Sequence, residues 1–173
     1  MKFKTFLEQK SPKKTVYFDM DGVLADWEGM YKKHFGPKDP WTIPDSELWP
    51  NVISIKDFWT KLSLMKDSVK IWDYAQSHPN AEVKILSGYS THDARSQKGK
   101  KAWLKNHSKD LKGKYDIHLV RAKDKKTYAD ENSVLIDDLI GNVEGFEKNG
   151  GTGILFKNAK QALKELKKFL DNA

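Results

Sequence analysis

Short runs in which nearly every residue is apolar alternate along this chain with longer stretches whose apolar residues recur every three or four positions. The runs are residues 15–18, 83–86, 117–120, 134–136 and 153–156. Each is rich in β-branched or aromatic side chains and lacks polar alternation, which predicts strands buried on both faces of a parallel sheet. The longer stretches predict amphipathic helices over 66–76, with Val69, Ile71, Trp72 and Ala75, and over 94–107, with Ala102, Trp103 and Leu104. A third, over 159–170, sets Leu163, Leu166, Phe169 and Leu170 on one stripe and its lysines on the other. Alternation of this kind predicts an α/β fold, a Rossmann-like parallel sheet sandwiched by helices, whose ligands bind outside the carboxyl ends of the strands.

One stretch breaks the rhythm. Residues 27–64 carry Pro37, Pro40, Pro44 and Pro50 among the aromatics Trp27, Trp41, Trp49, Phe58 and Trp59, and are expected to form a small cap inserted after the first strand. The catalytic core is then 15–26 with 65–173, and 1–14 is an N-terminal appendage interrupted by Ser11-Pro12. A length of 173 residues suits one domain with an insertion and is short for two domains.

Composition narrows the chemistry. The absence of cysteine excludes a disulfide framework, thiolate catalysis and cysteine-ligated zinc, and the chain is expected to be cytoplasmic. No apolar run is long enough for a bilayer, so no membrane partner is expected. The five histidines, His34, His78, His92, His107 and His118, lack metal-ligand spacing and read as structural or surface residues. A net charge of +7 favours phosphate-bearing ligands. Much of it lies in Lys98, Lys100, Lys101, Lys105, Lys109, Lys112 and Lys114, where nucleic acid can be accommodated, although a solvated lysine face is the commoner meaning of such a run.

Candidate chemistry follows the strands. The first runs into Asp19-Met20-Asp21-Gly22, two carboxylates that repel each other unless a cation or proton is shared, with a glycine for a tight turn. Alone, this tetrapeptide is also what turns and calcium loops use. The second strand ends in Ser87-Gly88, suited to a phosphate oxygen but equally to a turn. Beyond the third lies Arg121-Ala122-Lys123-Asp124-Lys125-Lys126, and the fourth ends in a second acidic pair, Asp137-Asp138. Asn142, Gly150, Gly151 and Gly153 are explained by a loop and left out of the site.

These elements, in this order, resemble the haloacid dehalogenase (HAD) superfamily, whose motifs run Asp-x-Asp, Ser/Thr, Lys, acidic pair. The resemblance covers about residues 15–156, and Asp26-Trp27-Glu28, Leu135-Ile136-Asp137-Asp138 and Lys101-Ala102-Trp103-Leu104 are similar to the 5′(3′)-deoxyribonucleotidase branch. It implies that Asp19 attacks phosphorus and that Asp21 protonates the leaving oxygen and then activates water. It implies Mg²⁺ held by Asp19, the backbone carbonyl of Asp21 and the pair Asp137 and Asp138, with Asp138 favoured as the direct ligand. Ser87, Gly88 and a lysine would bind phosphate; Lys125 is the best match, with Lys123 and Lys126 open.

The expected substrate is a small phosphomonoester, a nucleoside monophosphate, with Trp27, Phe58 and Trp59 as candidate walls for the base or as cap core. The cap has no clear counterpart in the nucleotidases, so the alternatives are a phosphatase acting on polynucleotide ends and a receiver-like phospho-binding module. The motif order disfavours the latter, because a receiver's phospho-accepting aspartate follows its third strand.

Overall fold

The computed structural model describes residues 13–171. In chain order the elements are β1 (Lys14–Phe18), β2 (Ala25–Asp26), α1 (Trp27–Phe35), α2 (Asp45–Ser54), β3 (Ser63–Leu64), α3 (Lys66–Ser77), β4 (Ala81–Gly88), α4 (Ser96–Asn106), β5 (Asp116–Val120), β6 (Ser133–Asp137), α5 (Ile140–Glu147), β7 (Thr152–Leu155) and α6 (Ala159–Asp171). Three 3₁₀ turns, Pro40–Thr42, Phe58–Thr60 and Ala122–Tyr128, complete the set among the described residues. Of the appendage expected over 1–14, residues 1–12 lie outside the described residues, and Lys14 is the first residue of β1.

The main sheet has five strands in the order β5-β4-β1-β6-β7, all neighbours parallel. The strand order reverses at β1, which opens a crevice at the carboxyl ends of β1, β4 and β6. Alternation within the strands separates two apolar layers. Val16 and Phe18, Val83 and Ile85, and Val134 and Ile136 point to one side and pack with Ile71 and Trp72 of α3, Trp103 of α4 and Leu166 and Leu170 of α6. Tyr17, Leu86 and Leu135 point to the other, where Phe146 of α5 meets them with Tyr128. The central strands β1, β4 and β6 are therefore covered on both faces, which is why their sequences lack polar alternation, whereas the edge strand β5 has no buried residue.

Residues 27–64 hold two helices despite their prolines. Pro40 opens a 3₁₀ turn and Pro44 caps α2, places where a missing N–H is harmless, and Pro50 alone sits inside a helix. β2 and β3 pair antiparallel, Ala25 with Leu64 and Asp26 with Ser63, so the segment leaves and rejoins the core side by side. Tyr31, Leu48, Val52 and Phe58 join the core cluster of the first layer.

Beyond the 27–64 segment and the β2–β3 pair that frames it, two more elements were not expected. Residues 140–147 form α5 rather than a loop; Gly141 and Gly145 weaken its helical pattern, and its buried face is only Val143 and Phe146. Residues 122–128, from which one lysine, Lys125 by preference, was expected to reach the acidic cluster, form a 3₁₀ turn whose buried residue is Lys125.

Candidate active site

Asp19 emerges from the buried end of β1 and is 5% exposed. Its Oδ1 accepts from the Met20 N–H at 2.7 Å and its Oδ2 lies 3.0 Å from Lys125 Nζ. The next residues form a tight loop in which the N–H groups of Val23, Leu24 and Ala25 all reach the Met20 carbonyl, at 3.2, 2.8 and 2.8 Å. Gly22 in this loop has φ +74°, and a Cβ there would stand 2.1 Å from Oδ2 of Asp138. Glycine is thus required twice, for its left-handed backbone and for the close approach of the acidic pair to the first strand's end.

One oxygen from each of Asp19, Asp137 and Asp138 lies within 4.8 Å of the others, a set suited to a hard cation. Two carboxylates at such a separation repel by about 3–4 kcal/mol at an effective dielectric near 20. The carboxyl of Asp138 is accordingly pushed up to about 8, by burial first and then by Asp19 and Asp137. Asp137 is fully dressed by the protein. Its Oδ1 accepts from the Leu139 N–H at 2.9 Å and from Asn142 Nδ2 at 3.0 Å, and its Oδ2 from Lys125 Nζ at 2.6 Å and Asn142 at 3.1 Å. Burial by itself lowers the Lys125 ammonium, but Asp19 and Asp137 outweigh it and hold it above its ordinary value. Of the three lysines left open, Lys125 is the one drawn into this cluster; Lys123 and Lys126 are exposed.

A second buried lysine corrects the sequence reading. Lys100 was assigned to a solvated face, yet it is 1% exposed, with Nζ 2.7 Å from Oδ2 of Asp21 and 2.8 Å from Oγ of Ser87. The signal was available in the spacing: Lys100 lies three and four residues before Trp103 and Leu104, on the buried stripe of α4 with Ser96 and Gly99. Asp21 therefore turns its side chain away from the three-carboxylate set toward Lys100. Burial raises its carboxyl above the usual range, against the pull of Lys100. Ser87, at the end of β4, is fully buried beneath Lys100, and the next residue, Gly88, lines the cleft that Asp19 and Asp21 also line.

The cleft above these groups measures about 470 Å³ and is walled by Trp27, Trp41, Trp49 and Trp59 from the 27–64 segment, with Arg121 and Lys123 opposite. Two expectations about this wall change. Trp27 is 2% exposed and stacks on Tyr31, at 5.9 Å and 7°, and on Trp41, at 5.0 Å and 18°, so it keeps almost no surface for a ligand. Phe58 is wholly buried, edge-on to Trp27 and Trp59, and supports the wall from behind. The ring with free surface is Trp41, 53% exposed, beside a Trp49–His92 stack at 5.0 Å. Trp59 gives its indole N–H to Asp93 at 2.8 Å, and Asp93 is paired with Arg95, whose Nη atoms reach the carbonyls of Val52, Ile55 and Lys56 at 3.3–3.4 Å. This network ties the loop after β4 to the end of α2.

Comparison by sequence with protein-family models and with curated proteins gives no match. Comparison by structure does. A HAD-superfamily hydrolase of subfamily IA from Geobacter sulfurreducens superposes with a TM-score of 0.60 at 10% identity, over 89% of this chain and 96% of that one. The fold is HAD-like. L-2-haloacid dehalogenase from Xanthobacter autotrophicus with covalently bound chloropropionic acid gives 0.53 at 12% identity, over 82% of this chain and 76% of the other. A HAD family enzyme from Bacteroides thetaiotaomicron in complex with magnesium and inorganic phosphate gives 0.50 at 12% identity, over 84% and 94%.

The HAD-like sheet brings Asp19, Asp21, Gly88, Lys125 and Asp138 to the lining of one cleft, with Ser87 and Asp137 fully buried against Lys100 and Lys125 of that lining. Three further residues join them that the sequence reading left aside: Lys100, Asn142 and Trp41. Among the described residues no helix is long and apolar enough to cross a membrane.

Proposed function

We propose that this protein is a Mg²⁺-dependent phosphomonoester hydrolase that forms an aspartyl-phosphate on Asp19, with a nucleoside monophosphate as its substrate. The observation that carries this reading is the meeting of a buried nucleophile, a carboxylate with a raised proton affinity, a buried hydroxyl and two buried lysines at one edge of the sheet.

The donors fit a divalent cation. Asp19, Asp137 and Asp138 crowd three carboxylates together, and one lysine does not neutralise them. Asp19 and Asp138, with the Asp21 carbonyl, would hold Mg²⁺, Asp137 lying behind them in its own hydrogen bonds. When bound, the ion supplies positive charge that lowers repulsion between the Asp19 carboxylate and a phosphate dianion.

The protein's own groups account for the remaining steps. An Asp19 oxygen forms a bond to phosphorus as the ester P–O bond breaks, and the departing oxygen takes its electron pair and a proton from Asp21. In the second half Asp21 accepts a proton from water as the water oxygen attacks phosphorus, and the bond to Asp19 breaks to release inorganic phosphate. The Ser87 hydroxyl and Lys125 hold phosphoryl oxygens throughout.

A nucleoside fits the cleft by size and surface. Its volume lies in the range of small-molecule sites, Trp41 offers a ring face for a base, and Arg121 and Lys123 attract an anion to the rim. Dehalogenation, suggested by the Xanthobacter neighbour, displaces chloride, which leaves without a proton and needs no cation; the Lys100–Asp21 pair and the carboxylate cluster favour phosphoryl chemistry instead. A panel of deoxyribonucleoside monophosphates, 3′- and 5′-phosphorylated oligonucleotides and L-2-chloropropionate, with and without Mg²⁺, tests the assignment. Mg²⁺-dependent phosphate release from the mononucleotides is expected; chloride release, or release from oligonucleotides alone, would contradict it.

A further inference from the structure

Lys100 has no part in the four-motif reading, yet its ammonium sits between two of that reading's residues. Gly99 makes this possible, since a Cβ there would stand 2.3 Å from Cβ of Trp59; α4 lies hard against the 3₁₀ turn Phe58–Thr60. The Trp59 ring covers the ammonium at 5.6 Å and is itself fixed by its bond to Asp93.

An ammonium donates hydrogen bonds and accepts none. Ser87 Oγ, 2.8 Å from Nζ, must therefore accept, and its single proton is directed elsewhere. No hydrogen bond within the described residues takes up that proton. Oδ2 of Asp21 likewise accepts from Lys100, while Oδ1 is buried without a hydrogen-bond partner. One cation thus leaves a hydroxyl proton and a carboxylate oxygen uncommitted, one on each of the two groups it bonds.

We propose that Lys100 is a positioning residue of the reaction, turning the Ser87 proton toward a phosphoryl oxygen and leaving Oδ1 of Asp21 as the atom that passes the proton to the leaving group. This rests on the phosphohydrolase reading. A lysine serving only as structural counter-charge would affect all phosphomonoesters alike. A lysine acting through Asp21 matters most where the leaving oxygen needs a proton.

The test compares phenyl phosphate, whose phenolate leaves poorly, with p-nitrophenyl phosphate, whose leaving group departs without a proton. Wild type, Lys100→Met, Asp21→Asn and the double variant are assayed with Mg²⁺ present. Lys100→Met is expected to lose about 100-fold in kcat/KM on phenyl phosphate and less than about 10-fold on p-nitrophenyl phosphate, in keeping with the usual worth of general acid catalysis; kcat/KM reports formation of the aspartyl-phosphate and leaves out its hydrolysis, which is common to both esters. In the Asp21→Asn background, where no acid remains to be positioned, Lys100→Met leaves the ratio of the two rates unchanged. The double variant also removes both charges of the buried pair, so it supplies this comparison even if Lys100→Met alone does not fold. Equal losses on the two esters, or a further change of ratio in the double variant, would overturn the role of Lys100 and leave the phosphohydrolase reading standing. Wild-type protein without turnover on either ester would overturn both.

Discussion

Replacing Gly22 with alanine probes the joint between the loop that follows β1 and the acidic pair. The new Cβ would fall 2.1 Å from Oδ2 and 2.4 Å from Cγ of Asp138, so the carboxylate must retreat by more than about 1 Å to reach ordinary van der Waals contact. Separately, φ +74° places a side-chain-bearing residue in the left-handed region at a cost of about 1–2 kcal/mol. Urea unfolding in EDTA should report a loss of that size. Mg²⁺ titration followed by the rise in Tm should show half-saturation weakened by about 10- to 100-fold, the range for disturbing a ligand's support. Gly141→Ala is the control, because a Cβ on that helical glycine meets nothing within 4 Å and should be neutral or slightly stabilising. Unchanged Mg²⁺ binding by Gly22→Ala would refute the placement of Asp138 in the cation site.

Two further substitutions test the electrostatics. The Asp138 carboxyl is raised to about 8, so its ionisation destabilises the metal-free fold above about pH 4, increasingly up to about pH 8. Asp138→Asn should therefore gain stability in EDTA, by up to a few kcal/mol at pH 8 and little at pH 4, and should abolish stabilisation by Mg²⁺; a gain independent of pH would contradict the crowding. Asp93 shows the opposite sign: Arg95, and then Trp59, hold its carboxyl at about 2, so its contribution is present above about pH 4 and is lost as the pH falls through about 2. Asp93→Asn should lose about 2 kcal/mol at pH 7 in urea unfolding and match wild type near pH 2; an equal deficit at both would show that the network is not electrostatic.

The central strands were legible because they are covered on both faces and so read as apolar runs, and the cluster of polar groups was legible because four polar motifs interrupt the runs at their ends. What escaped lies in contacts between distant segments. Lys100 looks like its lysine neighbours until α4 is packed on Trp59, and only the stripe it shares with Trp103 and Leu104 sets it apart. Trp27 and Trp41 are equivalent as letters, and the stacking of one on the other decides which ring keeps an open face. Asn142 was read as loop because the glycines on either side of it mask a helix whose start serves Asp137.

Trapping the covalent intermediate on Asp19 tests the central claim most directly. Wild-type protein mixed with p-nitrophenyl phosphate and Mg²⁺, quenched in acid within a turnover and digested, should yield a peptide containing Asp19 that carries one phosphoryl group and loses it to hydroxylamine. Asp19→Asn should show neither the adduct nor Mg²⁺-dependent turnover. Turnover at the wild-type rate in Asp19→Asn, or a phosphoryl group on any other residue, would contradict the account.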